Sequence, residues 1–94
     1  MDTKKIEKLA KLLTHKEGIA LMELIATRKE VPYADLKEVT PNEVTLKRRL
    51  DELKELGLIQ RVILDKKYKP TIYRVTSKGE EVFKLVQQIG KTFE

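Results

Sequence analysis

Apolar residues recur every three or four positions along most of this chain, which is the spacing of helices that bury one face. The pattern predicts five helices, over residues 3–13, 16–28, 33–39, 40–56 and 77–93. Two stretches rich in β-branched residues, 58–64 and 71–75, instead predict strands. Because only the polar segment 65–70 separates these strands, we expect a hairpin with that segment at its tip.

The fourth helix has the most clearly marked ends. Thr40 followed by Glu43 predicts a capping box, with Pro41 at the first helical position, where its missing N–H costs nothing. Gly57 supplies the left-handed residue that commonly ends a helix. The leucines that share one face of this helix and are expected in the core are Leu46, Leu50 and Leu53.

The outward residues of the fourth helix differ between its two halves. At about 100° per residue, Val44 and Arg48 lie opposite the leucine row, with Thr45 and Lys47 on either side. The outward residues further along are the acidic Asp51, Glu52 and Glu55. A polyanion would be attracted to the first half and repelled by the second, which suits a helix that enters a DNA groove by its N-terminal end.

The segments before the fourth helix complete a helix-turn-helix pattern. The second helix is apolar nearly all round, so we expect it to be buried on several sides, and a second subunit could supply part of that burial. Val31 and Pro32 predict a short extended piece, and Leu36 and Val39 are expected to face inward on the short helix that follows. A short helix, a tight turn and a longer helix with basic outward residues form a helix-turn-helix.

The hairpin tip carries three lysines at the most exposed point of the domain. Their positions are Lys66, Lys67 and Lys69. Either solvation alone accounts for them, or they contact DNA phosphates or the minor groove as a wing. After the second strand, Thr76 or Ser77 caps the last helix, with Ser77 and Glu80 as a candidate capping box.

The two terminal helices carry more apolar surface than a core of this size requires. In the first helix, Ile6, Leu9, Ala10 and Leu13 share one face. Because apolar patches left exposed invite association, we expect a two-fold dimer built from helices 3–13 and 77–93. The residues assigned to that interface are Ile6, Leu9, Leu13, Leu85, Val86, Ile89 and Phe93.

Composition narrows the functional classes. The 94 residues, 40% hydrophobic and 37% charged, predict one globular domain over residues 1–94, and a net charge of +5 favours nucleic acid or an acidic surface as partner. The chain has no cysteine, and His15 is its only histidine, so neither disulfides nor a metal site are expected.

No apolar run approaches a membrane span and the N-terminus lacks a signal-peptide core, so we expect a cytoplasmic location. Catalysis and a cofactor are not expected, because no paired carboxylates, nucleophile–base arrangement or phosphate-binding glycine loop is visible.

Three segments, YADLKEV, LKRRLDELKELGLIQRV and YRVTSKGEEV, occur in the order of elements described above. In this order they resemble the winged helix-turn-helix transcription regulators, and locally the small multiple-drug-resistance-type and related prokaryotic regulators. The LxxLxxxGLI and YxVTxKG patterns are the more specific parts, and the resemblance covers roughly residues 16–89. It implies an α+β fold, mainly helical, in which a two-stranded wing hairpin follows the recognition helix.

The resemblance also implies a homodimer that binds a palindromic site in double-stranded DNA and represses or activates nearby genes. The base-reading role falls on Asn42, Val44, Thr45, Lys47 and Arg48, and the wing role on Lys66, Lys67 and Lys69. Arg49, nearer the helix flank, either holds a DNA phosphate or pairs with Glu52 or Asp51. Several such families sense oxidants or metals through cysteines or cysteine–histidine clusters, and those modes do not carry over to a chain without cysteine.

Three functions fit these features: a sequence-specific DNA-binding regulator, an architectural DNA binder with little sequence preference, and a winged helix used for protein–protein contact. The ratio of specific to non-specific affinity separates the first two, because Thr45 and Arg48 can read base edges whereas wing lysines cannot. DNA binding without salt dependence, or no DNA binding, would favour the third.

Overall fold

The computed structural model describes residues 2–64 and 71–94. Its helices are α1 (Thr3–Leu13), α2 (Lys16–Arg28), α3 (Tyr33–Val39), α4 (Glu43–Glu55) and α5 (Ser77–Thr92), and its strands are β1 (Glu30–Pro32), β2 (Ile59–Ile63) and β3 (Thr71–Val75). All five predicted helices and both predicted strands are present. None of the described helices is long and apolar enough to cross a bilayer. The predicted wing tip 65–70, with Lys66, Lys67 and Lys69, lies outside the described residues.

The strands form one antiparallel sheet in the order β1-β3-β2. Val31 of β1 and Arg61 of β2 both lie opposite Tyr73 of the central strand β3. The predicted extended piece is thus a third strand, and its Pro32 is tolerated because it ends an edge strand. Because paired residues share one face of a sheet, Val31, Arg61 and Tyr73 all lie on the face that packs on the helices.

One hydrophobic core fills the space between the helices and the sheet. Its fully buried side chains are Leu12, Leu21, Ile25, Val31, Leu36, Leu46, Leu50 and Leu53. The predicted leucine row of α4 is therefore confirmed. α2 lies at the centre and packs against each of the other four helices and against β1 and β3. Its expected burial on several sides is also confirmed, and this one chain supplies it.

Two of the predicted inward-facing rows differ in the structure. The fully buried residue of α1 is Leu12, whereas Ile6 and Ala10 are exposed, because α1 meets α2 and α4 with the side that carries Leu12. Val39 is exposed as well, because the next residue, Thr40, takes the buried position at the junction between α3 and α4. In α1 the buried side is thus centred on Leu12, with the predicted Leu9 and Leu13 partly buried beside it, and in α3 the predicted inward position of Leu36 is confirmed.

The start of α4 also differs from the prediction. Asn42 is the N-cap, and its Oδ1 accepts a hydrogen bond from the Thr45 N–H over 3.1 Å. Thr40 is therefore not the cap, no Thr40–Glu43 capping box forms, and Pro41 precedes the helix. Asparagine caps helices as well as threonine does, and it lies two residues closer to the first turn.

One hydroxyl group makes hydrogen bonds both to the residue that ends α4 and to the first turn of α5. Gly57 has φ +76°, as predicted for a residue that ends a helix. The Thr76 hydroxyl donates to the Gly57 carbonyl over 2.6 Å and accepts from the Gly79 N–H over 3.0 Å. Thr76 is thus the N-cap of α5, and the Ser77–Glu80 box is wrong because Ser77 is already helical.

Candidate nucleic-acid interface

The first half of α4 presents a cationic surface with one apolar residue on it. Burial of the leucine row turns the opposite side outward, so Val44 is 68% exposed and Arg48 is exposed beside it. Lys47 is also exposed, and Thr45 is half-buried. The free N–H groups of the first turn add partial positive charge at this end. This surface can accept an anionic partner and an apolar contact at once.

Asn42 has a structural role in addition to the predicted one. Its side-chain oxygen accepts a hydrogen bond from the Thr45 N–H, and both donors of its amide NH₂ group stay available to another partner. On the other side of the turn between the helices, Lys37 of α3 lies 3.2 Å from Glu43 of α4. The cap satisfies an N–H of the first turn, and the exposed ion pair adds a weak link between α3 and the start of α4.

Arg49 does not lie on this surface. Its side chain is 6% exposed, and Nη1 lies 2.9 Å from Oε1 of Glu52 without hydrogen-bond geometry. Of the two predicted roles, the ion pair with Glu52 is the one observed. The position is one turn from both Leu46 and Leu53, on the flank that also carries Glu52, which shares a small pocket with Lys8 and Lys11 of α1. A side chain buried there is not available to DNA, so Arg49 is removed from the candidate interface.

The acidic second half of α4 is largely neutralised by neighbouring lysines. Lys8 of α1 lies 3.6 Å from Glu55, and Lys54 lies 4.0 Å from Asp51. All four side chains are exposed, so these pairs are weak. They nevertheless reduce the repulsion that this half would exert on a polyanion.

A cleft of about 360 Å³ lies between α4 and the sheet. Lys47 and Lys54 line it from α4, and Arg61 and Thr71 line it from the two strands of the hairpin. Sequence reasoning did not single out Arg61, because the strand 58–64 was considered only for its β-branched residues. The available signal was the alternation of Ile59, Arg61 and Ile63 on one face of that strand.

Two tyrosines form the inner wall of this cleft. The rings of Tyr33 and Tyr73 are 6.5 Å apart between centroids. Burial raises the pKa of the Tyr73 phenol, and the nearby Arg61 acts in the opposite direction. A tyrosine phenol is already neutral at pH 7 and the raised pKa does not change this, so Tyr73 adds no negative charge to the cleft.

The residues assigned to dimerisation fall into two groups. Leu9, Leu13 and Val86 are partly buried against the core of their own chain. Ile6, Leu85 and Ile89 are exposed, and Phe93 at the end of α5 is 85% exposed. A small apolar groove of about 160 Å³ between α1 and α5 is lined by Ile6, Leu9, Leu56, Leu58 and Val82. The exposed residues belong to α1 and to α5 with its C-terminal end, and the groove lies between these two helices.

Comparisons with known proteins identify a family to which this chain is similar. Residues 12–94 match the family of HxlR-like helix-turn-helix proteins. The reduced form of the transcriptional regulator YodB from B. subtilis has a TM-score of 0.77 at 21% identity, covering 93% of this chain and 86% of that one. A transcriptional regulator homologue from Pyrococcus horikoshii OT3 has a TM-score of 0.75 at 17% identity, covering 93% of both chains. The transcriptional repressor BigR from Xylella fastidiosa has a TM-score of 0.68 at 21% identity, covering 98% and 89%. No curated protein matches the chain in sequence.

The structural similarities establish the winged-helix fold, and they agree with the order of elements seen here. The family match includes every helix and strand after α1. It confirms the resemblance drawn from the LxxLxxxGLI and YxVTxKG patterns. The chain therefore belongs to the HxlR-like helix-turn-helix family and is a transcriptional regulator of the winged-helix type.

Proposed function

We propose that this protein is a homodimer that recognises a specific double-stranded DNA site, with α4 in the major groove. The strongest support is the exposed first half of α4, where Val44 and Arg48 project from a helix whose opposite side is fully buried. Neither side chain contributes to the core. A helix held this firmly can present both to base edges in a constant register.

The chemistry of the exposed residues suits direct reading of bases. A guanidinium at Arg48 can bond both acceptors of a guanine edge, and Val44, one turn earlier, can contact a thymine methyl group. Thr45 and Lys47 flank this pair, and Asn42 has its amide NH₂ group to offer. The interface we propose thus consists of Asn42, Val44, Thr45, Lys47 and Arg48, without Arg49.

The wing lysines are proposed to contact the DNA backbone or the minor groove. This assignment rests on the sequence, where Lys66, Lys67 and Lys69 surround the tip of the hairpin. The base of the hairpin is anchored, because Ile59 and Val75 are buried and paired with each other. A tip held on such a base can lie against a duplex while α4 occupies the adjacent groove.

The apolar side formed by α1 and α5 is proposed as the dimer interface. Exposed apolar residues cluster there, among them Leu85, Ile89 and Phe93, and a two-fold axis through this side would bury them against themselves. Such a dimer would present two α4 helices to half-sites about 34 Å apart. The proposed target is therefore a palindromic site.

Fluorescence anisotropy tests the function directly. The titration compares a duplex from the gene's own upstream region with a scrambled duplex, at about 50 and 200 mM salt. We expect the upstream duplex to bind about a thousandfold more tightly, with both affinities falling as salt rises. Equal affinities would mean an architectural DNA-binding protein, and no salt-dependent binding would mean a protein–protein module.

A further inference from the structure

The cleft between α4 and the sheet has a charge balance that favours an anion. Lys47, Lys54 and Arg61 bring three positive charges to its lining, and Glu43 and Asp51 bring two negative ones. The cations come from two separate elements, a helix and a strand. An anion between those elements would therefore be held from two sides.

Both carboxylates of the cleft already have cationic partners. Glu43 pairs with Lys37 over 3.2 Å, and Asp51 pairs with Lys54 over 4.0 Å. Over residues 2–64 and 71–94, no ion pair within 4.0 Å involves Lys47 or Arg61. The excess positive charge of the cleft thus resides on these two side chains.

The register of the sheet directs Arg61 towards α4. Arg61 lies opposite the buried Tyr73, on the face that packs against the helices, whereas its neighbour Gln60 lies opposite Arg74 on the outer face. Ile59 ends the buried part of β2, so Arg61 is the first residue of that face to emerge beyond the core. It is exposed, and the neutral Tyr73 phenol beside it does not compete for its charge.

The geometry of a DNA duplex predicts which part of the DNA would lie over this cleft in the proposed complex. A recognition helix in a major groove and a hairpin tip at the adjacent minor groove have one sugar–phosphate strand between them. We infer that a phosphodiester of this strand binds in the cleft between Arg61 of the hairpin and Lys47 of α4. The inference rests on the proposed function and extends it, because it assigns a DNA-backbone contact to the base of the hairpin.

Such a contact positions the protein without reading sequence. Because Arg61 and Lys47 belong to different elements, one phosphate held by both would fix α4 relative to the wing. Arg61 is thus a positioning residue for the bases that α4 reads, and its loss should weaken binding to every duplex by a similar factor.

The test compares Arg61→Gln with a matched control, Arg74→Gln, in the anisotropy titration over a range of salt concentrations. Arg74 lies on the outer face of the same sheet and pairs with Glu30 over 2.7 Å. We expect Arg61→Gln to weaken both the upstream and the scrambled duplex roughly tenfold, because it removes a charge-assisted hydrogen bond. The slope of log affinity against log salt should become shallower by about 0.9. Arg61→Lys should keep the wild-type slope, as should Arg74→Gln.

Thermal melting without DNA checks that each variant is folded. If the wild type binds DNA but Arg61→Gln keeps the wild-type slope, the phosphate lies elsewhere and only this inference fails. A loss confined to the upstream duplex would make Arg61 a base contact and overturn the inference too. No DNA binding by the wild type would overturn both this inference and the proposed function.

Discussion

The helices α4 and α5 both carry an apolar row at helical spacing, yet the structure treats the two rows in opposite ways. The leucines of α4 are fully buried, because α4 packs among α1, α2, α3 and β2. α5 packs mainly on α2, so its covered part extends only as far as Val86, while Ile89 is 59% exposed and Phe93 85% exposed. Apart from Val44, the exposed side chains of α4 are charged, whereas α5 exposes the large apolar side chains of Leu85 and Ile89 among polar ones.

This difference separates two kinds of unexplained surface. The apolar row of α4 is already buried in the core, so its exposed cations and Val44 are not needed for folding. We propose that they bind an anionic partner, DNA. A helix with an exposed apolar row has unfinished packing, and such patches on soluble proteins mark association sites. Each surface can be altered by a substitution that leaves the other unchanged, and the predictions below use this independence.

The largest effect is expected from a charge on the exposed row of α5. We expect Ile89→Glu to convert the dimer into a monomer of 10.9 kDa, because the dimer would lose two buried isoleucines, each worth about 1.5–3 kcal/mol. Light scattering at micromolar concentration measures the mass. Gln88→Glu introduces the same charge one residue away and should leave the dimer intact. A wild type with only the 10.9 kDa mass would remove the dimer from the proposal.

Within α5, the glycines at its two ends should respond oppositely to alanine. A Cβ on Gly79 would overlap the carbonyl oxygen of Leu58 and lie 2.9 Å from Cγ2 of Val75, so the docked end of α5 would have to move. We expect Gly79→Ala to cost about 3 kcal/mol in the free energy of unfolding.

Gly90 provides the contrast, because a Cβ there meets nothing within 4 Å. Gly90→Ala should stabilise the helix by up to about 1 kcal/mol, since alanine loses less backbone entropy than glycine. Chemical denaturation measures both variants. Equal effects at the two positions would mean that α5 is not docked through its first turn as described.

The contrast between α4 and α5 also shows which features of the fold can be predicted from the sequence and which cannot. Periodicity is a local property, so it predicted the boundaries of α2 and α3 and the leucine row of α4. It could not choose between Thr40 and Asn42 as cap, because both residue types cap helices and they are two positions apart. It also could not say what covers α5, because an apolar row has the same spacing whether its partner is the same chain or another.

The site divides in the same way. The outward position of Val44 and Arg48 follows from the leucine row alone and was predicted. The burial of Arg49 depends on how α1 packs on α4, and the place of Arg61 depends on the pairing of two strands across the hairpin. Both depend on contacts between residues far apart in the chain, and such contacts cannot be predicted from the spacing of residues within one helix or strand.

Arg48 and Arg49 are adjacent in the chain, but substitutions at the two positions should have different effects. One should affect DNA recognition and the other the stability of the fold. We expect Arg48→Ala to lose about 1–3 kcal/mol on the preferred duplex and far less on scrambled DNA. Its effect on unfolding should stay below about 0.5 kcal/mol, as for other exposed helical positions. Arg49→Ala should do the reverse, since it removes a buried side chain and leaves Glu52 without its cation.

Titrating both variants with both duplexes gives four affinities, and denaturation gives two free energies of unfolding, which together test this pair of predictions. If Arg48→Ala weakens the two duplexes equally, Arg48 is a phosphate contact and the groove assignment is wrong. If Arg49→Ala alters binding while the fold is intact, its burial in the free protein does not persist on DNA. If neither substitution alters binding, α4 does not read DNA.

The smallest effect per residue is expected at the wing, where each lysine adds charge without selectivity. Replacing Lys66, Lys67 and Lys69 with alanine, singly and together, should weaken all duplexes alike, in contrast to Arg48→Ala. Removing one lysine–phosphate interaction should make the slope of log affinity against log salt shallower by about 0.9, which amounts to roughly threefold in affinity between 50 and 200 mM. Lys84→Ala on α5 is the control, because it removes the same charge from an exposed position on a helix outside the proposed DNA interface. An unchanged slope in the triple variant would mean that the tip lysines are only solvated. α4 and the base of the hairpin would then account for all of the salt dependence.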